Sequence, residues 1–139
     1  MWNFTIHGNP VTKKNSQQIL MNPKTHRPFV APSSQYKKYE KDACKQLLLQ
    51  AVQHGPAQAI DFPVNIECRY FMQTKRRIDI ANLMSATHDI LVKAGIIEDD
   101  NRDIVASVDM SGVFHDKDNP RVEIKIKRIH GGYETWAKR

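Results

Sequence analysis

The sequence predicts an α+β domain of two layers, with two main helices on one face of a mixed, mostly antiparallel sheet. Three observations carry this reading. Apolar and polar residues alternate in Trp2-Asn3-Phe4-Thr5-Ile6, from Val64 to Met72 and again over 122–127, the period of half-buried strands. Two longer stretches, one after Ser33-Ser34 and one after Asp79, repeat apolar residues at helical spacing. The order of elements is strand, hairpin, helix, strand, helix, strand, strand, which is not the regular alternation of a parallel sheet. At 139 residues the chain is most simply one domain, 1–139, with a tail over 129–139 expected to be mobile.

The first strand ends at Gly8-Asn9-Pro10, and Val11-Thr12-Lys13-Lys14-Asn15-Ser16 follows as a basic loop. Lys13 and Lys14 are candidates to clamp a phosphate backbone; a solvated turn is the plainer alternative. Residues 17–21 and 27–31 flank Asn22-Pro23, a turn signal, and form a small hairpin. Ser33 or Ser34 caps the first helix, whose apolar stripe is Tyr36, Tyr39, Ala43 and Leu47. Lys37, Lys38, Lys41 and Lys45 gather on its opposite side, a face that could lie along DNA but is more often only solvated. Gly55-Pro56 breaks that helix.

Residues 64–72 read as a central strand that delivers the chain to Lys75-Arg76-Arg77. Three cations beside an acidic centre can hold a phosphodiester there. Asp79 suits a helix N-cap, because its carboxylate can accept first-turn N–H groups. The helix spans about 80–94, and Gly95 occupies the left-handed position after it. Ile80, Leu83, Thr87, Ile90, Leu91 and Ala94 share the face that packs on the sheet. Asn82, Ala86, Asp89 and Lys93 form a polar strip beside it.

Glu98, Asp99 and Asp100 follow Ile96-Ile97. A chain that turns at Gly95 and re-enters the sheet would carry them back toward Asp79. Acids so close together are tolerated when solvated or when a cation neutralises them. This segment therefore reads as a magnesium site beside a phosphate-binding flank. Residues 104–110 and 122–127 read as the last strands, with 114–120 an exposed hairpin connection that carries no chemistry. Trp136, in the tail, can stack on a base or cover a partner chain.

The net charge of +6 suits a polyanionic partner. No apolar run approaches the ~20 residues of a membrane span, and nothing at the start resembles a signal peptide. A cytoplasmic location is the expectation. Cys44 and Cys68 lack both metal-ligand spacing and a disulfide framework, so they read as free thiols.

The stretch from Lys75 to Ile104 resembles the RusA family of Holliday junction resolvases. The family pattern runs R-x-D-x-D-N-L-x-K-x-x-x-D-x-L, then a small residue and glycine, then D-D. Arg77, Asp79, Asn82, Leu83, Asp89, Leu91, Ala94, Gly95, Asp99 and Asp100 match it in order and gap length. The resemblance implies an α+β homodimer that uses Mg2+ to cut four-way DNA junctions in recombination and repair. It implies Asp79 and Asp100 as catalytic carboxylates, and Asp79, Asp99 and Asp100 as metal ligands. Lys13, Lys14, Lys75, Arg76 and Arg77 would bind the nucleic acid. Three positions depart from the pattern. Ala81 replaces its second aspartate, Ser85 replaces its lysine, and Asp103 stands where an apolar residue follows the acidic pair. The alternative is therefore a weakened or inactive junction-binding protein on the same scaffold.

Overall fold

The computed structural model describes residues 1–13 and 17–129. Lys14, and the tail from 130 onward with Trp136, lie outside the described residues. In chain order the elements are β1 (Trp2–His7), β2 (Gln17–Met21), β3 (Pro28–Pro32), α1 (Ser34–His54), β4 (Val64–Met72), α2 (Ile80–Lys93), β5 (Val105–Ser107), β6 (Gly112–His115) and β7 (Arg121–Arg128). The expected α+β class holds.

β4 lies at the centre of the main sheet, whose order is β1-β7-β4-β5, with β6 also paired to β4. β7 runs antiparallel to both β1 and β4. β5 and β6 run parallel to β4, β5 at its start and β6 at its end. The antiparallel hairpin of β2 and β3 forms a separate sheet. Asn22 shapes its turn, accepting through Oδ1 from the N–H groups of Lys24 and Thr25.

Alternation along β4 is complete: Val64, Ile66, Cys68, Tyr70 and Met72 are buried and the residues between them are not. Register aligns Cys68 with Ile124 and Phe4, and Tyr70 with Val122 and Ile6, so one face of the sheet is apolar across three strands. Both helices contribute to this core, α1 through Ala43 and Leu47, and α2 through Leu83, Ile90 and Leu91. Burying each of the large aliphatic side chains among them contributes roughly 1.5–3 kcal/mol, so this face dominates the stability of the fold. A polar tie crosses it. Tyr70 Oη and Thr87 Oγ1 are 2.8 Å apart, and Thr87 also donates to the Leu83 carbonyl.

The outer edge of β1 is covered by side chains. Gln46 and Gln50 of α1 both accept from and donate to the backbone, at His7 and Thr5 respectively. Two glutamine amides thus occupy groups that would otherwise template pairing with another strand.

Two expectations require correction. The strand expected over 104–110 contains only Val105–Ser107. Asn65 removes the chain from the ladder, because its Oδ1 accepts from both Ser107 Oγ and the Asp109 N–H. Met110 then turns with φ 70°. The connection expected over 114–120 begins inside β6, which pairs with β4 from Arg69↔Gly112 to Met72↔His115. Phe114 stacks on Phe71 with ring centroids 5.3 Å apart, which fixes that strand. Residues 116–120 then pass from one flank of β4 to the other, so they do not join neighbouring strands. Among the described residues, no helix is long and apolar enough to cross a membrane.

Candidate nucleic-acid interface and acidic groups

β4 ends at Met72, and the chain reaches α2 through 73–79. This linker is tied to the β1–β2 loop, because the Gln73 N–H donates to Asn9 Oδ1 at 2.9 Å. The two segments enclose a cavity of about 540 Å³, lined by Asn9, Pro10 and Thr12 on one side and by Gln73, Arg76 and Arg77 on the other. Lys75, Arg76 and Arg77 are all exposed. The expected basic flank is therefore a cleft with two arginines on its wall. Guanidinium groups there can make bidentate contacts to phosphate oxygens.

Asp79 caps α2 as expected, its carboxylate accepting from the Ala81 N–H at 2.9 Å. The carboxylate remains exposed. Its backbone carbonyl takes the N–H groups of Asn82 and Leu83, starting the helical ladder. At the other end Gly95 has φ 75°, the left-handed conformation that glycine adopts without a Cβ penalty. Ile97 then bridges to Ile60, with the Ile60 N–H bonded to Ile96 O and the Glu98 N–H to Ile60 O. This latch holds the start of the acidic loop.

Within that loop Asp99 folds onto its neighbours. One carboxylate oxygen accepts from the Asp100 N–H at 2.8 Å and the other from Asn101 Nδ2 at 2.9 Å. The Asp100 N–H first, and then Asn101, hold the Asp99 carboxyl below the usual carboxylate range. Asp100 is exposed. Its negative charge acts on His88, as does that of Asp89. His88 lies roughly 13 Å beyond Asp79 along the α2 axis at 1.5 Å per residue. Among the described residues, no group of three or more His, Cys, Asp or Glu side chains is placed to hold a metal ion. The donor types nonetheless suit magnesium, which takes oxygen ligands, retains several waters and often uses one or two carboxylates.

The polar strip on α2 is not simply solvated. Lys13 leaves the β1–β2 loop and donates to Asp89 Oδ2 at 3.0 Å. Its ammonium also lies 5.6 Å from the centre of the Tyr36 ring. Lys93 donates to Glu40 of α1 at 2.6 Å. On the N-terminal side of the Lys13–Asp89 pair, Lys13, Asn82, Ser85 and Ala86 line a second cavity of about 190 Å³. The sequence exposed the strip through its spacing, and the basic loop through its composition. That the two touch is visible only in three dimensions. Asn9, which ties the two loops together, carried no sequence signal beyond its place in a turn.

A family model described as endodeoxyribonuclease RusA matches residues 6–127 of the chain. No curated protein matches it.

Proposed function

We propose, from the premise that this chain belongs to the endodeoxyribonuclease RusA family, that it cuts four-way DNA junctions with the help of Mg2+ during recombination and repair. The observation that carries this reading is the cleft in which Arg76 and Arg77 face the β1–β2 loop, directly before the Asp79-capped helix. Arginines on one wall can hold a strand through its phosphates, and exposed Lys75, next to them in sequence, adds positive charge. Asp79, Asp99 and Asp100 would hold the ion; magnesium bound there would polarise the phosphate and acidify a water.

A symmetric homodimer would present two such clefts to a two-fold symmetric junction. Support for this comes from the β2–β3 hairpin, where Ile19, Met21, Phe29 and Val30 are exposed. Side chains of that kind clustered outside the core mark contact surfaces. Light scattering across a range of protein concentrations tests the dimer. We place the activity in the cytoplasm, with the DNA.

The deciding experiment incubates the protein with a synthetic four-way junction, with Mg2+ or with EDTA. Magnesium-dependent cutting that disappears in Asp100→Asn is the expected result. Binding without cutting would leave the weakened junction-binding protein as the reading. Cutting that persists in Asp100→Asn would remove Asp100 from the site.

A further inference from the structure

We infer that the smaller cavity on α2 is a phosphate subsite whose cation is Lys13, delivered from a different element and held in place by Asp89. This deepens the proposed action on DNA and rests on it. The cavity is lined on α2 by exposed Ser85, buried Ala86 and half-buried Asn82, and from the loop by Lys13. Ser85 and Ala86 are small, so the helix leaves room for a lysine stem to lie across it. The ammonium has three N–H groups, and the bond to Asp89 Oδ2 at 3.0 Å uses one. The Asn82 amide and the Ser85 hydroxyl are further hydrogen-bond donors on the same cavity. A cation and two neutral donors around an open space suit a phosphate oxygen.

Placement favours the same ligand. Thr12 lines the arginine cleft and Lys13 lines this cavity, so one loop serves both. A backbone lying in the cleft would reach the smaller cavity next. Asp89 reduces the local charge but orients the ammonium, and Arg76 and Arg77 keep the neighbouring cleft positive. The geometry also gives the departure at Ser85 a meaning. A lysine at position 85 would project into the space that the Lys13 side chain now borders. The cation is supplied from the β1–β2 loop where the family pattern supplies it from the helix.

Transplanting the charge tests this. Lys13→Ala, Asp89→Asn and the double variant Lys13→Ala/Ser85→Lys are compared with the native protein in two assays. One is single-turnover cutting of a four-way junction with Mg2+. The other is junction binding in EDTA as a function of salt. Lys13→Ala is expected to slow cutting at least ~30-fold and to lower the slope of log affinity against log salt by about one. The double variant should recover both, to within about threefold in rate. Asp89→Asn keeps the charge but frees it, so it should slow cutting while the salt slope stays within about half a unit of native.

An unchanged rate and slope in Lys13→Ala, or a double variant no better than Lys13→Ala, would overturn the subsite. Melting curves show whether each variant is folded. Should Lys13→Ala melt below the assay temperature, Lys13→Gln takes its place in both assays. If the native protein binds junctions without cutting them, the proposed catalysis falls, and the slopes alone decide the subsite. If it neither binds nor cuts, both fall.

Discussion

The Lys13 ammonium stands 3.0 Å from Asp89 Oδ2, joining a loop to a helix across 76 residues of chain. Their side chains are 39% and 34% exposed, so water screens the pair. Exposed ion pairs contribute about 0.2–1 kcal/mol. Asp89→Ala should therefore lower unfolding free energy by no more than about 1 kcal/mol in urea titrations. A loss of several kcal/mol would mean that the pair holds the fold together, and that its effects on DNA cannot be read as local.

Asp79 has two separable roles. Asn caps a helix about as well as Asp, whereas Ala does not, and losing a cap costs about 1 kcal/mol. Asp79→Asn should keep native stability to within about 0.5 kcal/mol, and Asp79→Ala should lose roughly 1 kcal/mol. Both should abolish any rise in melting temperature on adding Mg2+, since both remove the charge. Calorimetry with and without the ion measures the two effects together. A magnesium response that survives in Asp79→Asn would confine this residue to capping.

Thr87→Val replaces a hydroxyl by a methyl of similar size and leaves the buried Tyr70 Oη without its partner 2.8 Å away. An unsatisfied buried hydroxyl costs about 1–3 kcal/mol. Urea unfolding should show a loss in that range. Phe at position 70 in the Thr87→Val background should recover part of it, because the orphaned group is then gone. Failure to recover would mean that the loss comes from packing on α2.

How far the fold could be read beforehand depends on whether each element is specified locally. α2 could be read because Asp79 caps it and Gly95 ends it, within the span of the helix itself. β4 could be read because its alternation runs unbroken from Val64 to Met72. β6 could not, because what makes Gly112–His115 a strand is Phe71, far back in the chain, stacking on Phe114. The early end of β5 is likewise set by Asn65, a residue of another strand. The site divides in the same way. The arginine flank is contiguous in sequence and was visible, while the Lys13–Asp89 contact is a product of the tertiary fold.

His88 gives the stability a defined pH dependence. Burial pushes its imidazole below the ordinary value of 6.5, against the opposing pull of Asp100 and then Asp89. Its Nε2 is buried without a hydrogen-bond partner among the described residues. The unfolded chain therefore takes up a proton at higher pH than the folded one. The contribution of neutral His88 is complete above the ordinary value of 6.5 and is lost as pH falls from there toward the depressed folded value. Urea unfolding at a series of pH values should show native stability falling over this window more steeply than that of His88→Gln. Parallel curves would mean that the imidazole titrates normally.

The acids themselves are best located by a paramagnetic ion. Asp79 caps the start of α2, while Asp100 acts on His88 further along the same helix. If one ion is held between them, substoichiometric Mn2+ should broaden the amide signals of residues 79–82 and 99–101 together. Excess Mg2+ should restore both sets, and Asp100→Asn should abolish both. Broadening confined to 99–101 would place the ion on the acidic loop alone. Asp79 would then be a helix cap whose charge assists from a distance, and the two-carboxylate site would have to be abandoned. Because the readout is distance rather than turnover, it decides the point even for a protein that binds junctions without cutting them.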